Sequence, residues 1–263
     1  MDQAHRTDSG HVPRGEGAGV IDALAITPIS KDEMVELATA EYGRLFEILS
    51  ALSPEDWARP TACDDWDIRL MVAHLLGAAE GNASIRESLH QLRLGRRWAK
   101  RNGRPEIDGI NAIQVDERRN FTPAQLIEQL RTVAPKAVAG RRKVPGPMRK
   151  ISVVNPAGGR MTMGHLVDRV YTRDQWMHRL DICASIGIEP ELTPDHDGRI
   201  VEDVVAEWAT VQPGPWSLDL SGPAGGQFRS GSGGDALSFD AVDFCLALSG
   251  RKRSDQSLAL VVF

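Results

Sequence analysis

Apolar residues recur at helical spacing over most of the first 190 positions. The clearest stripe begins after Ser30, where Ser30 and Glu33 have the spacing of a capping box at a helix start. Apolar side chains then return every three or four positions as far as Leu49. The same periodicity follows Asp67, Thr122 and Thr162, each of which is a residue type that caps helices. The pattern predicts a set of amphipathic helices. The helix after Asp67 is expected to continue toward Leu94, and the helix after Thr122 is expected to be kinked or interrupted near Pro135.

The pattern changes after Pro190. A further helix is predicted from Thr193 to about Ala209, and strands then follow at 216–221, 227–230, 236–239 and 258–263, with glycine-rich turns between the first three. A helix capped by Asp240 precedes the last strand. We therefore expect a helical domain over residues 26–190 and a small α+β domain over residues 191–263. Residues 1–25 show no periodicity and are expected to form a disordered tail.

The composition excludes several classes of protein. The chain has 263 residues, 41% of them hydrophobic and 25% charged, with a formal net charge of −5, which argues against general nucleic-acid binding. No apolar run approaches the roughly 18 residues of a membrane span, and the N-terminus has no signal-peptide core. The cysteines Cys63, Cys183 and Cys245 suggest neither disulfides nor a Cys-x-x-Cys site, so the cytoplasm is the expected compartment.

The helix predicted to start at Thr162 carries a carboxylate and an imidazole four residues apart, Asp174 and His178. Four residues bring two side chains to about 40° of each other on one helix face. This pair alone is more often a surface carboxylate beside a packed histidine, because helices often place acids and histidines four residues apart. His74, on the apolar helix after Asp67, can likewise be a core histidine. Together, however, two imidazoles and one carboxylate match a catalytic zinc site, which keeps its fourth position open.

Basic residues are concentrated in two stretches, and such runs usually form a solvated face. The alternative function is an anion-binding rim around a pocket. The first stretch contains Arg93, Arg96, Arg97, Lys100, Arg101 and Arg104, and the second contains Arg141, Arg142, Lys143, Arg149 and Lys150.

Four segments resemble the mycothiol-dependent maleylpyruvate isomerase family: 57–66 (WARPTACDDW), 72–76 (VAHLL), 172–182 (TRDQWMHRLDI) and 248–251 (LSGR). The resemblance covers about residues 30–263. It implies a DinB-like four-helix bundle that binds a divalent metal, followed by a small C-terminal α+β domain. By position, the family's metal ligands fall on His74, Asp174 and His178, with Zn²⁺ the expected ion. Asp174 stands where the family is expected to have glutamate, so its carboxylate reaches less far.

The resemblance implies a metal- and mycothiol-dependent isomerase or S-transferase that acts on a small electrophilic substrate. The family's catalytic arginine corresponds best to Arg251 and less well to Arg229, although Arg251 can also serve simply as a cation at a helix end. Asp181 and Tyr171 are candidates for positioning the metal ligands. Trp66 and Trp176 are candidates for the pocket wall or for the core.

Two other functions stay open on the same bundle: a metal-dependent hydrolase or lyase that uses activated water, and a non-catalytic sensor. Dependence on added thiol separates the first from the isomerase. The expected partners are a small-molecule substrate and a thiol, with no nucleic acid and no membrane, in a monomer or homodimer. A cysteine nucleophile is not expected, with Cys63 the one candidate not dismissed.

Overall fold

A computed structural model of the chain describes residues 19–63, 65–155, 159–252, 258–261 and 263. The helices are α1 (Lys31–Ala51), α2 (Ile68–Ala83), α3 (Ile85–Asn102), α4 (Glu106–Asp116), α5 (Pro123–Lys143), α6 (Gly146–Arg149), α7 (Met163–His165), α8 (Tyr171–Ile186), α9 (Arg199–Val211) and α10 (Ala241–Leu248). The strands are β1 (Ile21–Asp22), β2 (Ser152–Val154), β3 (Arg160–Thr162), β4 (Trp216–Ser221), β5 (Gly226–Ser230) and β6 (Asp235–Asp240).

Helices α1, α2, α5 and α8 surround one helical core. Helix α5 contacts α1 and α2, and α8 contacts the same two helices. Helices α3 and α4 pack against each other and against α2. Ser30 and Thr122 form capping boxes, and Asp67 caps α2 by accepting a hydrogen bond from the backbone N–H of Leu70. The predicted fold class, a helical bundle followed by a small α+β unit, is confirmed.

Several helix boundaries differ from those expected. Ser84 ends α2 and caps α3, so the helix predicted to continue toward Leu94 is two helices. Helix α5 runs through Pro135 without the expected interruption. Proline removes one helical hydrogen bond, but Pro135 lies on the exposed face, where water can hydrate the carbonyl group left without a partner.

The helical segment after Thr162 contains a π-helical turn. Helix α7 leads into the turn Leu166–Val170, which continues directly into α8. A π-turn holds one extra residue, which changes the face that the following residues present and frees a backbone carbonyl group. This turn lies immediately before the segment that carries Asp174 and His178.

The larger sheet has the strand order β1-β5-β4-β6, in which β4 is antiparallel to β5 and parallel to β6. Alternate residues of β4 and β5 face the core, among them Trp216, Leu218 and Phe228. Residues 258–261, expected to form a last strand, have no regular secondary structure. Strands β2 and β3 form a separate antiparallel hairpin before α7.

The N-terminal end of the described chain belongs to the larger sheet. Strand β1 pairs in parallel with β5, and a 3-10 turn, Ala23–Ala25, follows it. Residues 21–25 are therefore ordered, in contrast to the expectation of a disordered tail over 1–25; residues 1–18 lie outside the described part. One apolar core joins Ala23 and Ile29 to α1, α8, α9 and the sheet, so the two predicted domains share buried surface.

Buried ion pairs connect α8 to its neighbours. Arg173 on α8 binds the Asp203 carboxylate of α9 at 2.6 Å, and neither side chain is exposed to solvent. Arg169 also donates to Asp203, which in turn accepts a hydrogen bond from the backbone N–H of Ile29. A second cluster joins Arg179 to Glu41 of α1 and to Asp197. Because each charge is paired, the cost of burying it is offset.

No helix in the described part of the chain has both the length and the apolar character needed to cross a membrane.

Acid is expected to weaken the Asp203 cluster. Burial alone raises a carboxyl pKa, but Arg173 and Arg169 lower the pKa of Asp203 to about 2. The ionised Asp203 therefore makes its full contribution to the free energy of unfolding above the unfolded-state pKa of about 4. This contribution, about 2–3 kcal/mol, is lost as the pH falls toward 2. Denaturant unfolding should show that Asp203→Asn is less stable than the wild type near neutral pH, and that the difference shrinks below pH 4.

The control is Asp116→Asn, which removes an exposed pair with Arg119. Its stability difference from the wild type should be small at every pH. A difference for Asp203→Asn that does not change between pH 5 and pH 2 would contradict the assignment.

Candidate metal centre

Two helices present the candidate ligands to each other. His74 lies on α2, in a part of the helix that is buried on nearly every side. Asp174 and His178 lie four residues apart on α8, which packs against α2. Asp67 caps the start of α2, and Gly187, with φ of 73°, ends α8 in the left-handed conformation. The local sequence therefore sets both helix ends, and helix packing brings the three side chains together.

The ligand atoms have the spacing of a small coordination sphere. His178 Nε2 lies 3.4 Å from Asp174 Oδ1, and His74 Nε2 lies 3.7 Å from Asp174 Oδ2. One ligand atom from each of the three residues falls within 4.8 Å of the others. Ligands at about 2.1 Å from a tetrahedral ion are separated by about 3.4 Å. The donor chemistry and the spacing thus fit a divalent ion such as Zn²⁺.

The Asp174 carboxylate lies between two imidazoles, and this arrangement shifts the pKa values of Asp174 and His178. Burial alone raises the pKa of a carboxyl group, but His178 and His74 hold the pKa of Asp174 well below its ordinary value. Burial lowers an imidazole pKa, yet Asp174 and Asp181 together raise the pKa of His178 to about 9. The Asp174 carboxylate is consequently ionised at neutral pH, as a metal ligand must be.

The Asp174 side chain is 27% exposed, whereas the two imidazoles are almost fully buried. Solvent therefore approaches the three ligand atoms from the carboxylate side. An approach of this kind suits a site with an open coordination position, which a closed structural site lacks.

The imidazole of His178 is oriented from its other nitrogen. Nδ1 lies 3.2 Å from Asp181 Oδ2, and Arg251 Nε lies 3.2 Å from both oxygens of that carboxylate. A carboxylate behind a ligand histidine fixes its ring and its tautomer. Arg251 is therefore connected to the site indirectly, through its ion pair with Asp181. Arg229, the weaker match, lies on the exposed face of β5.

Trp66 forms one wall of the site. Its ring lies 4.9 Å from that of His74 and 6.3 Å from that of His178. The loop that carries Trp66 is closed by backbone hydrogen bonds to Thr61 and Cys63. Trp176, the other candidate, is a core residue that donates its indole N–H to Asp197. Of the two candidates, Trp66 therefore lies at the wall of the site and Trp176 lies in the core.

The cysteines and His165 differ in how close they lie to the candidate metal centre. Cys63 lies near His178 and Asp181 and forms with them a second group of possible ligand atoms within 4.8 Å. Arg251 already pairs with Asp181, so this group is a poor site for a cation. Cys183 and Cys245 are buried. His165 is directed to Glu207, 3.0 Å away, as its position opposite Asp174 on the helix predicts.

Sequence reasoning missed two residues near the centre. Tyr42 on α1 and Arg141 on α5 both lie close enough to Asp174 to interact with it electrostatically. Tyr42 sits within the apolar stripe of α1, and Arg141 sits within a basic run, so neither has a local signal of such a position. Only helix packing brings them to the site.

The fold and the site together define a helical-bundle protein with a candidate divalent-metal centre and an attached α+β unit. Residues 38–183, more than half of the chain, match the mycothiol maleylpyruvate isomerase N-terminal domain. The chain therefore belongs to the mycothiol maleylpyruvate isomerase family.

Solved structures show the same fold. The crystal structure of the mycothiol-dependent maleylpyruvate isomerase superposes with a TM-score of 0.56 at 14% sequence identity, over 90% of this chain and 100% of that one. A variant of the same enzyme, with one histidine replaced by alanine, gives the same values. Among curated proteins, none matches the chain. At this identity the structures establish the common fold, and the chemistry has to be argued from the site.

Proposed function

We propose that this chain is a metal-dependent enzyme that uses mycothiol, a low-molecular-weight thiol, to isomerise a small electrophilic substrate or to add the thiol to it as an S-transferase. The observation that carries the proposal is the convergence of His74, Asp174 and His178 at coordination spacing, with the carboxylate side open to solvent. Membership of the mycothiol maleylpyruvate isomerase family supports the choice of thiol. The proposed location is the cytoplasm, and the proposed assembly is a monomer or homodimer.

His74, Asp174 and His178 would hold the ion, with Zn²⁺ the best fit to two imidazoles and one carboxylate. When bound, such an ion lowers the pKa of a coordinated thiol, so that the reactive thiolate is present at neutral pH. Asp181 keeps His178 Nε2 directed toward the site by holding Nδ1. Trp66 covers one side and limits the access of water to the two imidazoles.

Arg251 is the proposed catalytic residue. Its Nε pairs with Asp181, while its two Nη atoms donate no hydrogen bond to any described residue. The side chain is 17% exposed. A guanidinium in this position can bind a substrate carboxylate through two parallel hydrogen bonds. Thiolate addition followed by elimination needs a substrate held in this way, because the attacked carbon must stay aligned in both steps.

Metal binding is the first prediction that follows from the proposed function. After reconstitution with Zn²⁺, elemental analysis should find about one ion per chain. His74→Ala, Asp174→Ala and His178→Ala should each lose most of it, because each removes one of three ligands. The matched control is His90→Ala, an exposed histidine on α3 paired with Glu117. Circular dichroism checks the fold. Failure of the wild type to bind Zn²⁺, or full binding by all three variants, would refute the centre.

Thiol dependence is the second prediction. A panel of small electrophiles should be converted only when mycothiol is present, and a chelator should abolish the conversion. Mass spectrometry of the products distinguishes isomerisation, which leaves the mass unchanged, from S-transfer, which adds the thiol. Turnover without thiol would identify a hydrolase or lyase instead. Tight binding without turnover of any compound would identify a non-catalytic binding protein.

The role of Arg251 is the third prediction. Arg251→Gln should lower kcat/KM by about tenfold or more, because a charge-assisted pair with the substrate is lost, while Zn²⁺ content is retained. Arg229→Gln, on the exposed sheet face, is the matched control and should change neither quantity. Unchanged kcat/KM in Arg251→Gln would remove this residue from catalysis.

A further inference from the structure

Arg141, in the last turn of α5, is buried although it begins a basic run. Its exposed fraction is 3%, whereas its neighbour Arg142 lies on the surface and pairs with Asp32. Arg141 Nε donates to the carbonyl oxygen of Val167 at 2.6 Å, and Nη2 donates to Thr172 Oγ1 at 2.5 Å. Both acceptors lie in the π-turn or the first turn of α8. The guanidinium is thereby held against the helix that carries Asp174.

The charge of Arg141 has no carboxylate partner in the described part of the chain. The nearby Asp168 pairs with Arg149 instead. Burial lowers the pKa of Arg141 to about 10, so the group is still cationic at neutral pH. Its third nitrogen, Nη1, donates no hydrogen bond to a described residue. This nitrogen is not fully enclosed by the protein. A buried cation with a free, accessible donor is expected to meet an anion.

Two phenol hydroxyl groups lie in the same region. Tyr171 is on the first turn of α8, three residues before Asp174 and on the same side of the helix. Tyr42, on α1, lies close enough to Arg141 and Asp174 to interact electrostatically with both. Neither hydroxyl makes a hydrogen bond to a described residue, and neither is fully enclosed. Burial raises the pKa of Tyr42 to about 12 and raises that of Tyr171; the charge of Asp174 acts in the same direction and that of Arg141 in the opposite one. Both are therefore neutral hydrogen-bond donors.

We propose that Arg141 Nη1 and the hydroxyl groups of Tyr42 and Tyr171 form an anion-binding subsite beside Asp174, which receives a carboxylate group of the ligand. The inference rests on the proposed function, since it assigns the ligand of the neighbouring centre to the carboxylic acids. This subsite lies on the bundle and is separate from Arg251, which approaches through Asp181 from the C-terminal unit.

The charges favour a monoanion. One guanidinium supplies the only positive charge among the three donors, and Asp174 lies close to all of them. The guanidinium compensates one negative charge, and the proposed ion is already shared by Asp174 and the two imidazoles, so a singly charged group matches the subsite better than a phosphate dianion. A carboxylate carries one charge and accepts several hydrogen bonds, which matches one guanidinium nitrogen and two phenols.

The test compares two thiols that differ only in charge, 3-mercaptopropionate and 3-mercaptopropionamide, titrated into the zinc-loaded full chain by calorimetry. The acid should bind about tenfold more tightly than the amide. Tyr42→Phe and Tyr171→Phe should each reduce that ratio by about threefold or more. Their Zn²⁺ content and thermal unfolding should stay unchanged, because neither hydroxyl has a partner in the described chain.

Arg142→Gln is the matched control and should keep the wild-type ratio. Direct chelation of zinc by the acid would raise the ratio equally in every variant, so only its fall in the phenylalanine variants supports the subsite. Equal binding of acid and amide to the wild type would overturn it. So would a wild-type ratio in both phenylalanine variants. Arg141 itself is a poorer test, because it also anchors the π-turn.

A second pair of ligands separates failure of the subsite from failure of the proposed function. If the zinc-loaded chain binds neither of these thiols nor mycothiol, the thiol-dependent function is overturned. Succinate and succinamide then test the subsite alone, in the same protein and by the same method. Tighter binding of succinate, reduced in Tyr42→Phe and Tyr171→Phe, would support the subsite. Equal binding of the two compounds would overturn it.

Discussion

The structure depends on how the charges of α8 are compensated inside the protein. This helix is buried over most of its surface, yet it carries Arg173, Arg179, Asp181 and the candidate ligands. Each structural charge is paired with a different element: Arg173 with α9, Arg179 with α1 and Asp197, and Asp181 with Arg251. Removing one partner from such a pair would leave an uncompensated buried charge. These pairs therefore fix how α8 sits between the bundle and the sheet.

The candidate metal centre contains the carboxylate of α8 that these arginine pairs do not include, Asp174. Asp174 and the two imidazoles face one another at 3.4–3.7 Å, too far for good hydrogen bonds and close enough to share an ion. The same reasoning separates Arg141 from the other arginines that contact α8, because its guanidinium meets a carbonyl and a hydroxyl group rather than a carboxylate. Polar groups that the fold itself does not neutralise thus cluster around Asp174.

The π-turn before α8 connects the fold to the site. It frees backbone carbonyl groups, and Arg141 binds one of them at Val167. π-Turns in helices often occur at functional sites, because the extra residue re-aims the side chains that follow. Here the turn precedes Tyr171 and Asp174, so the direction of both side chains depends on it. The 14% identity to the solved isomerase leaves room for such local features to differ within one fold.

The sequence by itself determined what depends on neighbours within a few residues. The capping boxes at Ser30 and Thr122, the helical periodicity and the four-residue spacing of Asp174 and His178 are local, since a helix repeats every 3.6 residues. The segments that indicated the family also lie within single elements or their adjoining loops, and the family is confirmed. The trio with His74 could be suggested, because two imidazoles and one carboxylate on helices with apolar residues match a zinc site.

Only the tertiary structure decided which faces meet. Strand β1 forms because β5 offers it a free edge about 200 residues later, so the short run at Ile21 carries no strong signal of its own. Pro135 stays within α5 because its face is exposed, which its immediate neighbours do not reveal. Arg141 and Arg142 are adjacent and chemically identical, yet packing buries one beside Asp174 and leaves the other in solvent. Such differences arise from helix packing, which a local pattern does not encode.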